Sequence, residues 1–320
     1  MQRIFIIIGA IIILGGLALL GWQNQRSAGN FTATATVTPP ATLMPTPALP
    51  TATATNTPPT NTPTPTATAT NTATPTMTPT PSPEPTAALL AQAEIGYVPI
   101  LMYHYVRDVD PVQDALGYRL SVTPDVFEQQ LLWLKEHGYV TISMAHLTEC
   151  LNGQRTCPPN AVVLTFDDGY ADAATEALPL LLKHGFTATF YVVPGFVGKP
   201  GYMDWEQIRL LHTSGMEIGS HSINHPDLSA LDAEAVRVEL TESRAIIEAE
   251  LGAPVRSFCY PAGKYSDTVI ELAQAAGYTN AVTTWQGRNM QRIFELPRRR
   301  VLGGDPVEAM GWYLATPDFD

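Results

Sequence analysis

The chain of 320 residues has only three cysteines, Cys150, Cys157 and Cys259, so it is not a small disulfide-stapled scaffold. Positive charge is scarce too: 18 Lys and Arg stand against 30 Asp and Glu, a net charge of −12. That balance argues against nucleic acid or an anionic membrane surface as the main partner and suits a neutral or cationic substrate. The first 93 residues have one tryptophan, no histidine, no cysteine and three charged side chains, Arg3, Arg26 and Glu84. They lack the material for a core. The folding unit is therefore residues 95–320, ample for one large hydrophobic interior.

What the front of the chain does contain is an uncharged apolar run at residues 4–21, just after Arg3. It is about the minimum length that spans a bilayer and long for a signal-peptide core. No small-x-small cleavage site follows it closely, and no cysteine is there to take a lipid. An uncleaved anchor over residues 1–26 is favoured, with secretion as the outcome if the segment is cleaved. Either way the remainder is exported to the extracellular face. Residues 27–94 repeat Thr, Pro and Ala with few bulky apolar side chains, which cannot offset their own chain entropy. A disordered, polyproline-like spacer is expected there. In an exported protein, Cys150 and Cys157, flanking a short polar loop, are candidates for a disulfide, and Cys259 for a buried thiol.

From residue 98 onward, apolar runs and amphipathic stretches alternate. Strands are expected at 98–106, 139–142, 161–166, 187–193, 216–219, 255–260, 278–283 and 298–301. Between them, Thr123, Ser143, Asp204, Asp232 and Asp305 sit where helices should be capped, and one helix is expected over 171–184. Strand–helix alternation with short connections implies an α/β fold on a parallel sheet, either an open doubly wound sheet or a closed barrel. In both, residues just past the strand C-termini gather on one face. Asp167, Asp168, His221 and the Tyr260-Pro261 pair should meet there.

The stretch AVVLTFDDGY at 161–170 runs a buried strand into two adjacent carboxylates. Asp-Gly is also a plain turn signal. Two neighbouring anions at the mouth of a core need a cation close by. His221 and His225 lie four apart, a spacing that suits first-row metal ligands. Two imidazoles and one carboxylate make a facial site, which suits zinc first and cobalt, manganese or iron as well. Adjacent strand residues point to opposite sides, so one aspartate would be ligand and the other base.

TFDDG at 165–169, HSINH at 221–225, GYMDW at 201–205, GMEIGSH at 215–221 and FCYPAGKY at 258–265 together resemble the polysaccharide deacetylases, metal-dependent carbohydrate esterases of family four. The resemblance spans nearly all of residues 96–303. It implies a distorted (β/α) barrel with seven strands and a divalent cation held by Asp168, His221 and His225. It also implies Asp167 as base and a backbone oxyanion donor at Ala262, just after Pro261.

Two departures matter. Cys259 stands where the family often carries the arginine that orients the base, which leaves Arg298 as the candidate substitute, with a structural ion pair as the competing role. No histidine follows His225, so the general acid is expected from the first strand, at His104. That order resembles the circularly permuted subgroup that includes deacetylases of exported poly-N-acetylglucosamine. Tyr260, Pro261 and Trp205, with Ala262, are candidates to line a sugar groove.

The expected activity is removal of N-acetyl groups from an extracellular polymer of N-acetylglucosamine type. The expected partners are that polysaccharide and, through the front segment, a membrane, with no nucleic acid and no obligate protein partner. The competing readings are a carbohydrate-binding protein that has lost catalysis and an O-acetyl esterase acting on xylan.

Overall fold

The computed structural model describes residues 96–315. The expected anchor over 1–26 and spacer over 27–94 lie outside the described residues. Among the described residues no helix is long and apolar enough to cross a membrane.

The elements begin with β1 (Ile100–Tyr103), β2 (Tyr105–Val106), α1 (Ala115–Leu120), β3 (Ser121–Val122), α2 (Pro124–Glu136), β4 (Val140–Thr141) and α3 (Met144–Leu151). Then β5 (Ala161–Phe166) leads through a π-helix (Ala173–Ala177) into α4 (Leu178–His184), β6 (Thr189–Val192), α5 (Trp205–Thr213) and β7 (Glu217–Ser220). Last come α6 (Ala233–Leu251), β8 (Ser257–Cys259), α7 (Asp267–Ala275), β9 (Asn280–Val282), β10 (Arg299–Arg300) and α8 (Met310–Leu314).

Seven strands form one curled parallel sheet in the order β10-β1-β5-β6-β7-β8-β9, with β4 paired to β5 off this path. The expected count of seven and the parallel pairing hold. The sheet is a half-barrel with a thin seam: Leu296 bridges Val282 of β9, and Arg299 and Arg300 pair with β1. One short segment thus meets both β9 and β1.

All six residues of β5 are buried, as expected for a strand covered on both faces. Its alternation divides them. Val162, Leu164 and Phe166 join the large core under the helices, while Ala161 and Val163 join a second cluster with Tyr191, Cys259, Val282 and Leu296 from the other strands. By the two-residue period, Thr165 and Asp167 continue the Val163 side, into the concave interior. The strand pattern is therefore what puts one carboxylate inside the sheet.

The local helix signals are realised at four positions. Thr123, Ser143, Asp204 and Asp232 each accept a backbone N–H from the first turn, and Asp204 forms a full capping box with Gln207. Two expectations are corrected. Residues 171–184 are not one α-helix but a π-helical turn followed by α4. Asp305 does not cap the last helix: its carboxylate accepts from the Tyr313 hydroxyl, and a 3-10 turn (Val307–Ala309) precedes α8. The expected bridge between Cys150 and Cys157 is not formed either. Both are free thiols in hydrogen-bond contact. Burial, with Cys157 beside it, pushes the Cys150 thiol up to about 12, away from the thiolate that exchange requires.

Candidate active site

At the carboxyl end of β5 the two aspartates part company. The Asp167 backbone N–H donates to Tyr103 O of β1 at 3.0 Å, which extends the ladder and keeps its side chain in the interior. Asp168 has φ 73°, in the left-handed region, and Gly169 follows with φ 77°. That reversal turns the Asp168 carboxylate toward the loop after β7.

Asp167 is 4% exposed and Arg298 1%. The guanidinium grips the carboxylate with both arms, Nη1 to Oδ1 at 2.7 Å and Nη2 to Oδ2 at 2.8 Å. Its remaining donors reach Thr165 Oγ1 at 3.0 Å, the Thr283 carbonyl at 2.8 Å and Cys259 Sγ at 3.1 Å. Burial by itself would raise the Asp167 carboxyl, and the Arg298 charge outweighs it, holding the group below the usual carboxylate range. The arginine missing from the 258–265 motif is thus replaced in space by Arg298, and the small Cys259 leaves room for it.

Asp168 Oδ1 lies 3.4 Å from His221 Nε2 and 3.5 Å from His225 Nε2. His221 Nδ1 is 2.7 Å from the Cys259 carbonyl, which can only accept, so Nδ1 carries a proton and Nε2 is the ring atom turned toward Asp168. Ligand bonds of roughly 2.1 Å around one ion place neighbouring donors about 3.0–3.4 Å apart. The three donors therefore fit a divalent cation. A second set, Asp167, His221 and Cys259, also converges, but Arg298 already occupies both Asp167 oxygens. Burial lowers His225, and the His221 charge lowers it further, favouring the neutral imidazole a ligand needs. Burial pulls His221 down as well, but Cys259, Asp168 and Asp167 outweigh it and leave the group well above its ordinary value. The cluster calls for positive charge.

His104 follows β1 and lies within Coulombic reach of both aspartates. Burial lowers its pKa, against the pull of Asp167 and Asp168, and its buried Nδ1 has no hydrogen-bond partner among the described residues. After β8, Ala262 stands exposed at the apex of a turn (Pro261–Gly263) with φ 51° and ψ 17°. Gly263 and Lys264 donate their N–H groups back into that turn, at 2.9 Å each. The sequence-expected groove residues divide: Tyr260 and Pro261 are buried, Tyr260 donating to the Phe294 carbonyl at 3.0 Å, so they support the turn from behind. Trp205 opens α5 and packs partly on the main core.

Three participants were not picked out by the sequence patterns. The Tyr170 side chain hydrogen-bonds to Asp168 and stacks between Tyr105, at 3.7 Å, and Tyr202, at 5.1 Å. Its place directly after DDG was the available signal. Trp285, 67% exposed, sits between the Arg298 backbone, which donates to its carbonyl at 2.9 Å, and the Ala262 turn, whose Gly263 packs on Thr284. Glu239 of α6 holds the loop between the two histidines and carries no local signal at all.

A buried carboxylate clamped by arginine lies beside an Asp/His/His donor set at the C-terminal mouth of a curled parallel sheet, an α/β arrangement in which a divalent cation would sit next to an ionised carboxylate. Residues 154–281, two fifths of the chain, match the polysaccharide deacetylase family model. It is 29% identical to Bacillus subtilis (strain 168) YxkH over 72% of this chain and 81% of that protein. It is 25% identical to the poly-beta-1,6-N-acetyl-D-glucosamine N-deacetylase of Escherichia coli (strain K12), over 69% of this chain and 39% of the longer enzyme's length. Among solved structures, the Streptococcus pyogenes deacetylase PplD, in complex with acetate, superposes with a TM-score of 0.65 at 29% identity, covering 68% of this chain and 98% of that one.

Proposed function

We propose that this protein removes N-acetyl groups from an extracellular polysaccharide of N-acetylglucosamine type, tethered to the membrane by its front segment. The observation that carries the reading is the pairing at one mouth of an arginine-clamped Asp167 with the Asp168, His221 and His225 donor set. The resemblance to a poly-beta-1,6-N-acetyl-D-glucosamine N-deacetylase supports the choice of polymer. The exposed Trp285 on the rim offers a flat apolar face of the kind sugar rings stack on.

When bound at the donor set, a divalent cation, zinc first, supplies Lewis-acid polarisation and a nucleophile at neutral pH. Asp167 takes the proton of the attacking water, with Arg298 keeping the carboxylate ionised and aimed. Water oxygen adds to the acetyl carbonyl carbon, and the Ala262 N–H faces the oxygen on which negative charge develops. That charge raises the proton affinity of the nearby His104, whose resting imidazole burial keeps neutral. His104 takes up a proton from solvent and donates it to the departing nitrogen, the C–N bond breaks, acetate and a free amine leave, and Asp167 returns the proton it took from water to solvent.

Acetate release from N-acetylglucosamine oligomers, acetylated xylan and buffer alone, with elemental analysis of the same preparation, tests the reading. Asp167→Asn should lower acetate release by at least about a hundredfold while bound metal is unchanged. Full activity in that variant sinks the mechanism. Release from xylan alone would establish an O-acetyl esterase, and sugar binding without release a non-catalytic module. Cell fractionation of the tagged chain tests the anchor.

A further inference from the structure

The loop joining the two histidines is held in an unfavourable conformation. Ser222 has φ 63° and His225 φ 57°, in the left-handed region that disfavours any residue with a Cβ. Such a geometry persists only if its surroundings impose it. His221 is secured independently, by its strand and the Cys259 carbonyl. His225 depends on the loop.

Glu239, half-buried on α6, accepts three hydrogen bonds from that loop. Its Oε2 takes the Ile223 N–H at 2.6 Å and the Asn224 N–H at 3.1 Å, and its Oε1 takes Asn224 Nδ2 at 3.1 Å. One helical turn on, Ser243 accepts from Ser220 Oγ at 2.8 Å, just before His221. From the other side the Gly195 N–H donates to the Ile223 carbonyl at 2.8 Å, where a Cβ at Gly195 would lie 2.5 Å from that oxygen. Glu239 and Ser243 thus hold the chain on both sides of His221 from one face of α6, Ser243 through the Ser220 side chain and Glu239 through the loop backbone. Glu239 is absent from the donor set.

We infer that Glu239 is a positioning residue that sets the affinity of the Asp168, His221 and His225 site for a divalent cation, by holding the loop that presents His225. Two successive backbone N–H groups and a side-chain amide on one carboxylate form a charge-assisted anchor. Without it the loop can relax out of the left-handed region, and His225 Nε2 leaves its 3.5 Å approach to Asp168 Oδ1. The inference rests on the metal-centre reading above.

The test is equilibrium titration of the metal-stripped full chain, in detergent, with Zn2+ against a competing chelator. Co2+ absorption reports the ligand geometry, and apo-protein melting is followed in parallel. Glu239→Ala should weaken Zn2+ binding by about tenfold to a hundredfold, the range for residues that orient metal ligands. Glu239→Gln keeps a carbonyl oxygen for the two backbone donors but not the charge, and should recover to within about fivefold of the parent. A Glu239→Ala protein that binds within twofold of the parent overturns the inference, even if it melts earlier. So does Glu239→Gln binding as weakly as Glu239→Ala, which would make the effect one of charge alone. If Glu239→Ala does not fold, Asn224→Ala, which removes one of the three bonds, should weaken binding by about threefold, and unchanged binding overturns the idea. A parent chain that binds no cation defeats the metal-centre reading instead, a distinct result.

Discussion

At the scale of single residues, the site turns on what surrounds each carboxylate. Removing one partner of a buried ion pair leaves the other charged and unsolvated, at a cost of about 3–5 kcal/mol. Arg298→Ala is therefore expected to lower the urea-unfolding free energy by about that amount. Arg298→Lys, which keeps the charge but cannot grip both oxygens, should fold while acetate release falls at least about tenfold. Asp172 carries the opposite electrostatics. Burial pushes it up to about 6, against the pull of backbone N–H groups and Arg107. Its folded pKa thus exceeds its unfolded one, so the protein loses stability as pH rises through that interval. Asp172→Asn should remove the loss: between pH 5 and 8 the parent should fall by about 1 kcal/mol more than the variant in chemical denaturation. At this scale the sequence was legible where strand periodicity applies. The alternation at 161–167 sends Asp167 inward, and Arg298 could be named because the expected arginine position held Cys259. Glu239 was illegible, because nothing in a helical glutamate shows which loop of another strand it will meet.

At the scale of elements, short-range chemistry was the legible part. Thr123, Ser143, Asp204 and Asp232 cap because the capping bond closes within three residues. What needed distant partners was missed. β3 is a two-residue strand that exists only by pairing with β2, itself the detached end of the strand expected over 98–106, and Asp305 is taken by the Tyr313 hydroxyl rather than by a helix. The π-helical turn after DDGY was hidden because its residues are good helix formers in any register. It places Ala173, Ala174 and Ala177 in the core next to Asp168's turn. Asp232→Ala removes the cap of the helix that carries Glu239 and should cost about 1 kcal/mol of unfolding free energy. The helix is anchored along its length by Val236, Leu240 and Ile247, all buried in the main core. Zinc affinity in that variant should therefore stay within about twofold of the parent, which separates loss of helix stability from loss of the loop anchor.

At the scale of the whole molecule, the acidic balance, the front segment and the rim of the site all bear on what the protein meets. The net charge of −12 disfavours an anionic polymer and tolerates one that becomes cationic as its amines are freed. Trp285 is the place where this reading can be measured. Its backbone is pinned on both sides, by its own N–H to Thr283 Oγ1 at 3.2 Å and by Arg298, so its side chain stands on a fixed base. Among the described residues no other ring stacks on it, whereas the second exposed tryptophan, Trp312, has Arg299 4.4 Å from its ring centre. Taking a sugar ring on this face at the worth of an aromatic pair, about 0.5–1.5 kcal/mol beyond area burial, gives a factor of a few to about tenfold in binding. Trp285→Ala should therefore raise KM for long N-acetylglucosamine oligomers by about threefold to tenfold and leave kcat within about twofold. The loss should shrink as the oligomer shortens, because a chain that never reaches the rim has no contact to lose. An equal loss for every chain length would place Trp285 in the reaction centre, and no loss at any length would take it out of the polymer's path.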